Sequence, residues 1–199
     1  MRAKEVPVTC RIGGEELPRH LERLYGPRAP GALEGYTPLY CSGGFTEVYL
    51  LRQPLVGAVE ALLRAGRVPY AAGLYAGRLR PRRPLFIPSH LLVERVYGYL
   101  GGYSRALQLA EAGVRSVLYG RDALRESVAS CHEPLEAEDV VSILGQDGRV
   151  YAIGLSEVSG CDSLTRLGGR EVVARTIFDL GWYLRGGTVP RESKYRLDR

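Results

Sequence analysis

The sequence has no asparagine, one methionine and two lysines, Lys4 and Lys194, among 27 basic residues. Few thermolabile side chains beside many ion-pairing ones fit heat adaptation, because ion-pair networks gain weight as temperature rises. A GC-rich genome would also enrich arginine, so composition leaves both origins open. No apolar run approaches the ~18 residues that span a bilayer, which argues against a membrane partner. The opening MRAKEVPVTC lacks the apolar stretch and cleavage site of a secretion signal, so the expected location is the cytoplasm. The four cysteines, Cys10, Cys41, Cys131 and Cys161, show no C-x-x-C spacing, and no histidine pair stands at ligand spacing. No metal site is expected. The default reading is four thiols, with disulfide pairing left open because intracellular disulfides occur in hyperthermophiles.

Enzyme signatures are also missing. YAAGLYAG has glycines without the G-x-G-x-x-G spacing, and neither G-x-S-x-G nor H-E-x-x-H occurs. Glu138 and Asp139 are adjacent carboxylates, which a strand turns to opposite sides. Asp122 beside Arg121 reads as a local ion pair. The expectation is a protein without catalytic activity and without a cofactor.

What the chain does have is arginine, unevenly placed. Residues 1–105 carry 15 basic and 8 acidic side chains, a net +7; residues 106–199 carry 12 and 14, a net −2. A basic half joined to a near-neutral half predicts an anionic partner met mainly through the first half. The densest cluster is GRLRPRRP at 77–84. Arg78 and Arg80 alternate onto one strand face, and Pro81 breaks the alternation before Arg82 and Arg83. Guanidinium forks suit phosphate and stack on bases. The competing reading is a solvated turn whose charges protect a sheet edge.

The 199 residues suffice for one large domain or two small ones. EELPRHLERLYG places Leu17, Leu21 and Leu24 at helical spacing, and RAPGALEG follows as a loop. YTPLYC and TEVYLL form a hairpin around SGG. PLVGAVEALLRAG is a helix with Leu55, Val59, Leu62 and Leu63 as its apolar stripe and Gly66 at its end. VPYAAGLYAGRL and PLFIP are strands flanking the arginine cluster, most simply a hairpin with its tip near Pro81. SHLLVERVYGYL is a helix capped by Ser89. GGYS at 101–104 marks a domain boundary, with domains expected at 1–103 and 104–188 and a polar tail at 189–199. Beyond it, RALQLA is a strand and AGVRSVLYG a short helix or turn ending at Gly120. ALRESVASCHE and DVVSILGQDGRVYAIGLSEV are strands, with QDG as a hairpin turn. Short strands with few helices predict a small β-barrel. Tyr97, Tyr99 and Tyr103 crowd the boundary and read first as packing, second as base stacking.

SVLYGRDAL, the strand pair ending YAIGLSEV, and FDLGWYLRGG resemble a PUA domain, an RNA-binding barrel. Upstream, VPYAAGLYAGRLRPRRPLFIPSHLLVERV resembles the domain that precedes the PUA in the Nip-seven type of ribosome-biogenesis factor, found in archaea and eukaryotes. The resemblance covers roughly residues 40–187. It implies an α+β fold: an N-terminal antiparallel sheet with helices, then a small PUA barrel. It implies a non-catalytic protein that binds RNA, as pre-rRNA or rRNA, and meets ribosome-assembly proteins. By motif it selects Tyr119, Gly120, Arg121 and Arg125 for RNA contact, with Gly120 either admitting RNA close to the backbone or only capping a helix. It also points to Arg166, Arg170 and Arg175 between GLSEV and DLGWYLR. Here the chain departs from the family, since Glu157 and Asp162 stand where basic residues are expected. Residues 111–188 hold 8 basic and 12 acidic side chains. The first domain is therefore expected to contribute more to RNA contact than in relatives, or the second to meet mainly protein. A monomer is favoured. The alternatives are an RNA-modification enzyme or subunit, and a protein-interaction scaffold whose arginines meet acidic surfaces.

Overall fold

The computed structural model describes residues 8–80 and 85–185. The chain divides into two compact units between Leu100 and Gly101, at the start of GGYS. Architecture is α+β, as expected.

The N-terminal unit is built on an antiparallel meander of β1 (Thr9–Ile12), β2 (Thr37–Ser42), β3 (Thr46–Leu51), β4 (Leu74–Leu79) and β5 (Phe86–Pro88), in that spatial order. Three helices accompany it: α1 (Glu16–Tyr25), α2 (Gln53–Arg64) and α3 (His90–Leu100). Strand alternation assigns the two faces. Leu39 and Cys41 of β2, with Tyr49 and Leu51 of β3, pack against Val59 of α2. Tyr40 points the other way, and the Leu17 amide of α1 donates to its hydroxyl at 2.8 Å. Leu17, Leu21 and Leu24 are all buried, as their spacing predicts. Tyr25 and Tyr97 meet edge to face at 5.8 Å, joining α1 to α3. Ser89 caps α3 by accepting the Leu92 amide at 3.2 Å.

Two expectations change here. RAPGALEG is not a plain loop: Ala29–Leu33 forms a 3-10 turn that buries Ala29, Ala32 and Leu33. The stripe on α2 is rotated. Leu55 and Leu62 stand 43% and 40% exposed, while Val56 and Leu63 join Val59 against the sheet. Residues 56, 59 and 63 keep the i, i+3, i+7 spacing, so periodicity alone could not choose between neighbouring stripes.

The C-terminal unit contains β6 (Ala106–Leu109), α4 (Glu111–Leu118), β7 (Ala123–Leu124), β8 (Val128–His132), β9 (Val140–Leu144), β10 (Val150–Ser156), β11 (Val172–Asp179) and the single turn α5 (Trp182–Arg185). The strands form one curled six-stranded sheet in the order β7-β11-β10-β9-β6-β8. Only the β6–β9 pair is parallel. The QDG turn closes β9 onto β10, with Gly148 at φ +76°, where a Cβ would be strained. Leu107, Leu109, Val141, Ile143, Ala152 and Val173 fill the concave side, and α4 inserts Val114 and Val117 among them. Each valine so buried contributes about 1.5–3 kcal/mol. Tyr103 lies 5.2 Å from His132 within this unit. Among the described residues, no helix is long and apolar enough to cross a membrane.

The cysteines overturn the default reading of four thiols. Cys10 and Cys41 are register partners on β1 and β2, with Cα atoms 4.1 Å apart, and form a disulfide. Cys131 and Cys161 form a second one. The first pairing was hidden because it depends on the β1–β2 register, which brings together residues 31 positions apart. Each bridge closes a loop of about thirty residues within one unit, at 31 and 30 residues of separation. Such loops stabilise by about 2–4 kcal/mol. Thermal melting with and without reductant should show the reduced protein melting several degrees lower. An unchanged melting temperature would show that the bridges contribute nothing.

Candidate nucleic-acid interface

The end of α4 makes an exposed tip. Gly120 adopts φ +81°, and its amide donates to the Val117 carbonyl at 2.8 Å, stopping the helix. This is the glycine end expected of LYG, and the reversed backbone leaves Tyr119 75% exposed. Arg121 is exposed beside it, with no carboxylate partner among the described residues.

The tip is fastened to β11. The Thr176 hydroxyl donates to the Arg121 carbonyl at 2.9 Å. The Thr176 amide donates to Asp122 Oδ1, also at 2.9 Å. Asp122 thus binds backbone rather than pairing with Arg121, correcting the sequence reading. Thr176 and Asp122 position the tip. Sequence reasoning missed both roles because 54 residues separate them.

Arg125 lies just beyond the tip and ties in a second segment. Its Nε donates to the Leu164 carbonyl at 2.6 Å, and its amide donates to Glu171 O at 2.9 Å. The Glu126 amide donates to Gly169 O at 2.9 Å. These bonds hold the 161–171 segment, whose 3-10 turn Cys161–Arg166 is stapled to β8 by the Cys131 bridge. Arg166 and Arg170 are exposed on it. The structure therefore links Arg125 to the segment carrying Arg166 and Arg170, and links Tyr119, Gly120 and Arg121 to β11.

Arg175 is different. Its Nε donates to Glu157, and one terminal nitrogen contacts Glu138 Oε1 at 2.5 Å. The hydrogen bond to Glu157 is the main reason its pKa is raised above the ordinary arginine value. Its neighbour Thr176 serves the tip, and strand alternation turns Arg175 away from it. Glu138 and Asp139 do face different partners, Arg175 and Arg105.

The arginine hairpin needs the largest correction. Arg78 does not stand at an exposed tip; it is 4% exposed on β4. One guanidinium nitrogen lies 3.2 Å from Glu47 Oε1, and the guanidinium carbon sits 3.5 Å over the Phe45 ring. Tyr49 also donates to Glu47 at 2.8 Å. A buried charge is tolerable only when paired in this way. Arg80 is half-buried just past β4, with its amide 3.2 Å from Leu85 O. Arg82 and Arg83 lie outside the described residues.

A curled sheet with a glycine-ended helix fastened to its last long strand is the architecture of a PUA-domain protein. Comparison agrees: residues 105–188 match the UPF0113 PUA domain. A UPF0113 protein from Aeropyrum pernix is 30% identical over 175 residues, covering 87% of this chain and 88% of the relative, and the chain belongs to that family. Two solved structures share the fold. A hypothetical protein from Pyrococcus horikoshii superposes with a TM-score of 0.63 at 13% identity, over 86% of this chain and 94% of its own. A conserved PUA domain protein from Thermoplasma acidophilum gives 0.60 at 15% identity, over 87% and 95%.

Arg78→Ala should destabilise the N-terminal unit by about 3–5 kcal/mol by leaving Glu47 buried without its cation. Combining Glu47→Gln with Arg78→Met should cost less than the two changes summed. Urea denaturation of Arg78→Ala, of Glu47→Gln and Arg78→Met singly, and of their combination checks both statements; strict additivity would mean the two side chains are not coupled.

Proposed function

We propose that this protein is a non-catalytic RNA-binding factor acting in assembly of the large ribosomal subunit. The observation that carries the RNA reading is the Tyr119–Gly120–Arg121 tip on a PUA domain. It offers an exposed ring for stacking and an exposed guanidinium for phosphate, on a backbone anchored to β11. Arg166 and Arg170 add exposed charge, with no ion-pair partner among the described residues. The ribosome-assembly role is supported by the upstream segment's resemblance to the Nip-seven type of factor. Assembly proteins are its expected protein partners.

Charge distribution divides the work between the units. Arg175 is neutralised by two carboxylates, so the C-terminal unit offers fewer available cations than its sequence counts. Removing Arg78 from the surface weakens the hairpin in the same way. The share of the 77–84 cluster then depends on Arg80, Arg82 and Arg83.

Binding of the full chain to large-subunit rRNA fragments across a salt series tests the proposal. Affinity should fall steeply with salt, as counterion release requires. Tyr119→Ala should cost about 1–3 kcal/mol if the ring stacks on a base. Arg121→Glu should flatten the salt slope by about one unit per lost phosphate contact. A flat salt response, or full affinity in both variants, would defeat the RNA reading. Arg80→Glu against Arg166→Glu compares the units: greater loss from Arg166→Glu alone would assign RNA contact to the PUA domain.

A further inference from the structure

A concavity in the N-terminal unit has no part in the interface above. It has a volume of about 360 Å³ and is walled by Glu34, Tyr36, Arg52, Gln53 and Arg95, among others. This is near the small end of the roughly 300–1,000 Å³ typical of ligand sites. Tyr36 directly precedes β2, Arg52 directly precedes α2, and Arg95 comes from α3, so three elements converge on it.

The two arginines are held in place, yet their charge is not neutralised. Arg52 Nε donates to the Tyr36 hydroxyl at 3.1 Å. Arg95 Nε donates to the Ala32 carbonyl at 2.5 Å. Their guanidinium carbons lie 5.2 Å and 4.5 Å from the centroid of the Tyr36 ring. Each is anchored through Nε and ring contact, which leaves the terminal nitrogens as donors. Among the described residues neither forms an ion pair. Elsewhere among the described residues, Arg78, Arg105 and Arg175 meet carboxylates, while Arg125 donates to a backbone carbonyl.

Positioned donors need little ordering when a ligand arrives. Two guanidinium groups around one cavity select a compact oxyanion, and planar forks match phosphate oxygens. α2 begins beside them without a side-chain cap and without an acid in its first turn, which adds its positive dipole end. Glu34 contributes the opposite chemistry. Its carboxylate, engaged with neither arginine, can accept from a hydroxyl or amino group. Dianion recognition beside one acceptor describes a phosphate ester that also carries donors, and the volume fits one such unit.

We infer that the Arg52–Arg95–Tyr36 concavity is a phosphomonoester site that takes a nucleoside 5′-monophosphate group, either free or at the end of an RNA strand. It is separate from the PUA surface, and free nucleotide would satisfy it even if that surface bound no RNA.

The test uses the full chain and four probes: AMP, adenosine, and one short RNA with either a 5′-phosphate or a 5′-hydroxyl. Calorimetry or fluorescence anisotropy gives the affinities. The phosphate should strengthen binding at least about tenfold in one or both probe pairs, as charge-assisted contacts require. A gap for both pairs assigns the site to the nucleotide itself; a gap for RNA alone assigns it to the strand end. Arg52→Gln with Arg95→Gln should close the gap, provided the melting curve matches wild type. Arg52→Gln alone, at an exposed position, should narrow it and serves if the double variant does not fold. Equal affinity for phosphorylated and hydroxyl probes in the wild type overturns the inference. So does an undiminished gap in a folded variant, which would place phosphate recognition elsewhere. Tyr119→Ala with Arg121→Glu should leave the AMP–adenosine gap intact, so failure of this site and failure of the PUA interface are told apart.

Discussion

A guanidinium removed from water must meet a carboxylate, a carbonyl or a ring, and that requirement sorts the arginines of this chain. Arg78 is enclosed between Glu47 and Phe45, Arg105 meets Asp139, and Arg175 is held by Glu157 and Glu138. Arg125 turns its Nε to a backbone carbonyl and thereby fixes a loop. Arg121, Arg166 and Arg170 stay in solvent, and Arg52 and Arg95 rest against a tyrosine with no ion pair among the described residues. The distinction between structural and available cations is what gives the surface its binding character. Net charge counts both kinds together and so misjudges each unit.

Much of the architecture was legible because it rests on local chemistry. The leucines of α1, the serine cap of α3, the QDG turn and the glycine after α4 each act within a few residues. Their elements appear where periodicity and turn preference place them. The PUA ending was legible through LYG and DLGWYLR, which preserve local geometry around α4 and β11. What could not be read depends on distant partners. Arg78 looked exposed because alternation assigns a face without saying which face is covered, and its carboxylate lies 31 residues earlier. Cys10 needed the β1–β2 register to find Cys41. The concavity at Tyr36 draws Arg52 from 16 positions away and Arg95 from farther still.

The same division holds for the candidate interface. Tyr119, Gly120 and Arg121 were accessible from sequence because one short motif contains them. Thr176 and Asp122, which hold that motif still, were not. Arg175 has the right residue type in the right segment, yet two acids engage it. Residue type proposes a contact, but the neighbours across the sheet decide whether the side chain is available to make it.

The bridge from Cys131 to Cys161 has a consequence beyond holding the fold. It ties β8 to the start of the segment that carries Arg166 and Arg170. Cross-linking and occupancy of that segment share one piece of chain, and thermodynamic coupling is reciprocal. A ligand that grips the segment in its bridged conformation favours the oxidised pair by the same factor by which oxidation favours the ligand. The surrounding thiol–disulfide balance and the concentration of such a ligand would then act as two handles on a single equilibrium.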